Sequence, residues 1–144
     1  MAQDAIALLE ADHQRVETLF RSFQTADPQA KLDLAQVICM ELTLHAMLEE
    51  ELFYPAFAQA TGDQDVIDDA REDHQEVKEL IAQVPQGGNL EQLVTEIVQT
   101  TMEHVEEERR EIFPKAKSSG MDLAALGQQM EARKAEVANA VQTA

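Results

Sequence analysis

Two stretches of this chain repeat one another at helical spacing, and they limit what it can fold into. HAMLEEELFYP (45–55) and HVEEERREIFP (104–114) each begin with His, carry Glu four residues on, and end in an aromatic residue followed by Pro. A second matched pair, DHQRV (12–16) and DHQEV (73–77), precedes them. The four segments hold every histidine of the protein. Residues four apart share one helix face, so each long motif places His and Glu one turn apart on the same side.

Apolar spacing decides which side that is. Ile6, Leu9, His13, Val16, Phe20 and Phe23 follow alternating steps of three and four, the seam of a bundled helix. Ile67, Ala70, His74, Val77, Ile81 and Val84 repeat that pattern 61 residues later. The stripe Ala35, Ile38, Leu42, His45, Glu49, Leu52 and Ala56 is matched at an offset of 59 by Leu90, Val94, Ile97, Thr101, His104 and Glu108. All four histidines and two glutamates therefore fall on core-facing stripes.

Punctuation divides the chain accordingly. Asp4 caps a helix to about Gln24, and Asp27-Pro28 starts a second that reaches about Ala60. Gly62-Asp63 turns and caps a third, from Gln64 to Gln83. Pro85-Gln86-Gly87-Gly88 breaks the chain, and Asn89 with Gln92 opens a fourth helix to about Ser118. Pro55 and Pro114 should bend the second and fourth helices. The expected fold is all-α: an up-down-up-down four-helix bundle over 3–118 with an additional amphipathic helix over 122–142, in a single domain 1–144. That last helix carries Leu123, Leu126, Met130, Val137 and Val141 on one side, for packing outside the bundle or for a dimer contact.

Composition agrees and removes some functions. Gly is scarce at five residues. Asp and Glu number 28 against 11 Lys and Arg, a net charge of −17, which argues against nucleic acid and anionic membrane partners. The single cysteine, Cys39, forbids an internal disulfide and reads as a small core residue. The N-terminus lacks the basic start of a signal peptide, and no apolar run is long enough to span a bilayer, so the expected location is the cytoplasm.

Taken singly, a core histidine or an H-x-x-x-E pair is more often structural than a ligand. The conjunction differs, because four imidazoles and two carboxylates on a core are costly without a cation. Six such groups exceed the needs of one structural zinc and suit a pair of metals such as iron or manganese. Hairpin symmetry assigns His13 and His45 to one ion and His74 and His104 to the other. Glu49 and Glu108 then bridge, with an oxo, hydroxo or water bridge completing the core and one position left open. Glu107 is a weaker substitute for Glu108, and Glu17 a weak extra candidate. Glu50, Glu51, Glu106 and Glu111 read as solvated or outlying. Tyr54 falls opposite the His45 stripe on an ideal helix and should pack, unless Pro55 distorts the helix enough to bring its hydroxyl to the site.

The six residues resemble the hemerythrin-like family, the H-HxxxE-H-HxxxE cation-binding domain, over about residues 3–118. The resemblance implies a non-haem di-iron centre (two iron ions, with manganese or zinc as substitutes) held by His13, His45, Glu49, His74, His104 and Glu108. It implies binding of oxygen, nitric oxide or peroxide in sensing or in oxidative and nitrosative stress. Oxygen carriers of the family have a fifth histidine where this chain has Lys78, and an aspartate where it has Arg109, which argues against simple oxygen transport and for a more open site. No catalytic residue is identified, so the reading leans to a binding module. A di-iron peroxidase, catalase-like enzyme or oxidase is the alternative. The protein partner is unknown, and monomer and dimer both remain open. Ferritin-like sites use paired Glu-x-x-His motifs, and only Glu10 with His13 fits that pattern.

Overall fold

The structure is a computed structural model that describes residues 3–143, with side chains as far as residue 139, so Val141 lies outside the described side chains. The chain is all-helical among these residues. Helices α1 (Ala5–Thr25) and α2 (Pro28–Leu48) form the first hairpin; α4 (Gln64–Gln83) and α5 (Leu90–Glu107) form the second. Short helices α3 (Tyr54–Thr61) and α6 (Phe113–Ser118) continue α2 and α5, and α7 (Leu123–Thr143) packs outside against α1 and α2. This is the expected four-helix bundle with an added C-terminal helix. None of the described helices is long and apolar enough to cross a membrane.

The helix starts follow local chemistry. Asp4, Asp27, Asp63, Asn89 and Asp122 each accept a hydrogen bond from the backbone N–H three residues on. Each cap satisfies one of the donors that a helix N-terminus leaves free.

Ahead of each internal proline the helix does more than bend. Glu49–Phe53 and Glu108–Ile112 are π-helical, with the Tyr54 N–H donating to the Glu49 carbonyl and the Phe113 N–H to that of Glu108. Pro55 and Pro114 lack an N–H, and their rings would clash with the carbonyl four residues back in an α-helix. A wider turn relieves both problems. A π turn adds one residue, so the following side chains rotate by about 100°. The sequence stripe placed Leu52 and Ala56 inward. Instead Phe53, Tyr54 and Phe57 are the fully buried residues, while Leu52 and Ala56 are only partly covered.

The core is divided into two apolar clusters. Leu8, Leu9, Leu48, Phe53, Tyr54, Phe57, Ile67, Ile112 and Phe113 belong to one, joined by Leu126 and Met130 of α7. Val16, Phe23, Ile38, Leu42, Val94 and Ile97 belong to the other, with Cys39 partly buried against it. His13, His45, His74 and His104 occupy the turns between the two clusters.

At Gly127, α7 meets the start of α1 so closely that a side chain has no room. An alanine Cβ there would lie 2.8 Å from the Asp4 carbonyl carbon and 2.9 Å from the Ala5 nitrogen. Backbone cannot swing aside as a flexible side chain can. Gly127→Ala is therefore expected to cost about 1–3 kcal/mol, or roughly 4 °C of melting temperature per kcal/mol in a domain of this size. A thermal melt checks this, and an unchanged transition would show that α7 docks elsewhere.

Candidate metal centre

The six core-stripe residues meet. His13, His45, Glu49, His74, His104 and Glu108 are all buried, the two glutamates completely. Within the first hairpin the Nε2 atoms of His13 and His45 lie 3.1 Å apart. Within the second, the rings of His74 and His104 stand edge to face with centroids 4.9 Å apart. Glu49 Oε1 lies 3.0 Å from His74 Nε2 and 3.3 Å from His45 Nε2, so this carboxylate faces both hairpins. Glu108 Oε1 is 3.0 Å from His104 Nε2, and Glu108 also offers an oxygen within 4.8 Å of donor atoms of His13 and His45. Two three-donor groups result: His13, His45 and Glu108; and Glu49, His74 and His104.

Charge in the centre is unbalanced. Burial, with neighbouring His45, pushes the His13 imidazole down to about 4. Burial opposes protonation of His45 and His104 too. The Glu49 carboxylate with Asp12 overcomes it for His45, and Asp73 with Glu108 for His104, raising them to about 10 and about 11. Burial, then the charge of Glu49, pushes Glu108 up to about 8, while His45 outweighs burial at Glu49 and holds it well below the usual carboxylate range. Glu49 Oε2 and both Glu108 oxygens have no hydrogen-bond partner; the close approach of Glu108 to His104 lacks hydrogen-bond geometry. Orphaned carboxylate oxygens beside imidazole nitrogens, with protons held only by opposing charge, are what a cation would satisfy. The donor set fits metal.

An outer layer of carboxylates escaped the sequence reading. His45 Nδ1 donates to Asp12 at 3.1 Å and His104 Nδ1 to Asp73 at 3.0 Å. Each aspartate precedes one histidine in sequence yet serves the histidine of the neighbouring helix. His13 Nδ1 donates to Glu10 at 2.7 Å, and Glu10 is clasped by Arg109 Nε at 3.1 Å. Arg109 thus joins the outer layer, at the position where oxygen carriers have an aspartate. His74 Nδ1 lacks such a bond, with Glu50 3.7 Å away and bonded to Lys78 instead. Carboxylates on the distal imidazole nitrogen fix ring orientation and tautomer at metal sites. The signal for Asp12 and Asp73 was available in the repeated DHQ; only the packing identifies which histidine each one reaches.

Tyr54 takes the alternative that the sequence left open. Its buried hydroxyl lies 3.3 Å from His74 Nε2 and 3.2 Å from His104 Nε2, and its ring stacks on His74. The ring packs in the core as expected, and the distortion ahead of Pro55 also brings the hydroxyl to the site, because the π turn rotates Tyr54 from the far side of the helix. The repeat places Phe113 at the matching position, stacked on His13 without a hydroxyl. Glu17 instead lines an open groove with Phe20 and Met102, and Glu106, Glu107 and Glu111 are exposed. Glu107 nonetheless sits near Asp73 and His104.

A cavity of about 30 Å³ between α2, α4 and α5 reaches the centre. His45, His74 and His104 line it together with Leu42, Val77, Lys78 and Ile81.

The sequence profile of the hemerythrin HHE cation-binding domain matches residues 4–116, most of the chain. The chain belongs to this family. As an HHE-domain protein it is a metal-cation binder, which agrees with the His and Glu groups described above. The crystal structure of an HHE cation-binding-domain protein from Mycobacterium kansasii is similar in fold, with a TM-score of 0.76 at 24% identity over 93% of this chain and 86% of that one. A DNA nickase from Nostoc sp. is 30% identical over 116 residues, 77% of this chain. The HHE-domain chain spans about a third of that relative, 32% of its length.

Proposed function

We propose that this HHE domain holds two iron ions and binds a small ligand (oxygen, nitric oxide or peroxide) in sensing or in the response to oxidative and nitrosative stress. His13 and His45 would hold one ion, His74 and His104 the other, and Glu49 and Glu108 would bridge them. The observation that carries this reading is the pair of glutamates, fully buried and facing both hairpins with three oxygens unpartnered. Bound iron would supply redox and Lewis-acid chemistry. The chain supplies orientation through Asp12, Asp73 and Glu10, and water exclusion through the flanking apolar clusters. A cavity of about 30 Å³ supports a ligand of a few atoms, since about 10–15 Å³ on the same measure suffices for one water molecule. Residues 1–144 would act as one domain, in the cytoplasm.

A di-iron peroxidase, catalase-like enzyme or oxidase is the second reading, favoured by the Tyr54 hydroxyl between two histidines. The nickase activity of the Nostoc relative is not carried over, because a net charge of −17 opposes DNA binding. The test is to load the full chain anaerobically with Fe(II) and add oxygen, nitric oxide or peroxide in turn. Absorption bands that appear and reverse support the binding module, and sustained peroxide consumption supports the enzyme. Iron-loaded protein that stays silent to all three overturns both.

A further inference from the structure

Helix α7 lies beyond residues 4–116, yet it touches the outer layer of the centre. Lys134 Nζ donates to Asp12 Oδ1 at 2.9 Å, while the other oxygen of Asp12 accepts from His45 Nδ1 at 3.1 Å. Asp12 is only 5% exposed, so its charge has little water to rely on. One residue earlier, Arg133 grips both oxygens of Glu51, at 3.0 and 3.4 Å, in the π turn that begins with Glu49. Leu126 and Met130 are buried in the cluster below the site, and Gly127 allows the close approach.

The internal repeat supplies a built-in comparison. Asp73 plays toward His104 the part that Asp12 plays toward His45. Asp73 is more exposed, at 34% of its side chain, and the neighbouring group is the acidic Glu107. Thus α7 secures one of two equivalent aspartates, the one whose burial most requires a cation.

We propose that Lys134 is a positioning residue for His45, acting through Asp12, and that α7 docking and metal occupancy control one another. This rests on the two-metal reading. A buried carboxylate deprived of its ammonium partner turns or draws in water and releases the imidazole it orients. Coupling of this kind is reciprocal, so whatever α7 contributes to holding the ion, the ion contributes to holding α7. The centre thereby acquires an output: a surface helix whose attachment depends on the state of the metal.

The test uses the full chain. Hydrogen exchange over residues 126–137 is measured without metal and with Fe(II), in wild type and in Asp12→Asn. Iron release to a chelator is followed in wild type, Lys134→Met, Lys134→Arg and Gly127→Leu. Iron should slow exchange of α7 in wild type but much less in Asp12→Asn. Lys134→Met should release one ion about tenfold faster and the other at the wild-type rate. Lys134→Arg should restore retention, and Gly127→Leu, which displaces α7 sterically, should imitate Lys134→Met. Equal exchange of α7 with and without iron, or release from Lys134→Met at the wild-type rate, overturns the proposal. If wild type takes up no iron, the two-metal reading fails instead. The imidazole nitrogen shifts of metal-free protein then decide the positioning role alone: His45 moving in Lys134→Met while His104 stays supports it, and an unmoved His45 refutes it.

Discussion

On the proposed two-iron reading, His45→Ala and His104→Ala are each expected to lose at least half of the bound iron, leaving one ion per chain or fewer. Each ring is buried, points Nε2 at a glutamate one turn away, and is oriented from behind by an aspartate. Loss of an outer partner alone commonly costs about 10–100-fold in metal affinity, so removing the donor itself should cost at least that. The measurement is elemental analysis per folded chain, after far-ultraviolet circular dichroism has shown that helix content is kept. The two variants should not behave alike. His45→Ala leaves Asp12 with Lys134 as a partner, whereas His104→Ala leaves Asp73 beside Glu107. Wild-type protein without metal, or variants that both retain the full complement, would remove the central claim.

Glu108→Gln should separate the stability of the metal-free protein from the stability that metal confers. Burial and the adjacent Glu49 raise Glu108 to about 8, against an unfolded value near 4.5. Above pH 4.5 the unfolded chain gives up this proton while the folded chain keeps it, so rising pH favours unfolding until about 8 is passed. At neutral pH the penalty is on the order of 1–3 kcal/mol. Glutamine has the shape of the protonated acid and carries no such penalty. The metal-free variant is therefore expected to melt above metal-free wild type at pH 7, with the gap closing as pH falls toward 4.5. Iron reverses the order. Free metal at a thousand times its dissociation constant would stabilise wild type by about 4 kcal/mol, and a glutamine cannot bridge two ions as a carboxylate does. Paired melts at pH 7 and pH 5, with and without Fe(II), test both halves. A variant that is less stable than wild type without metal contradicts the penalty assigned to the buried Glu108, and one that iron stabilises as fully as wild type contradicts the bridging role.

Much of the architecture was readable because it rests on short-range rules. Asp4, Asp27, Asp63 and Asn89 cap helices through bonds that span three residues. His45 with Glu49, and His104 with Glu108, share a face because a helix returns to it every four residues. The gathering of all six proposed ligands could be anticipated from two matched stripes, since equivalent positions in two hairpins meet at similar depth in a bundle.

Beyond that, local spacing fails where the chain leaves the ideal helix or where a bond crosses between helices. The prolines announced a disturbance, but whether it would be a kink or an added residue depended on how Phe53, Tyr54 and Phe57 pack, and that decided the place of Tyr54. Asp12 and Asp73 were visible in the repeated DHQ, yet each serves the histidine 33 or 31 residues away rather than its neighbour. The hold of Lys134 on Asp12 spans 122 residues, and no periodicity within either segment encodes it. By themselves the duplicated H-x-x-x-E and DHQ segments, with their matched apolar stripes, determined the bundle and the residues gathered at its centre, because both follow from the rise and turn of one helix. The tertiary structure alone decided what surrounds that centre, because hydrogen bonds between helices depend on packing register and orientation.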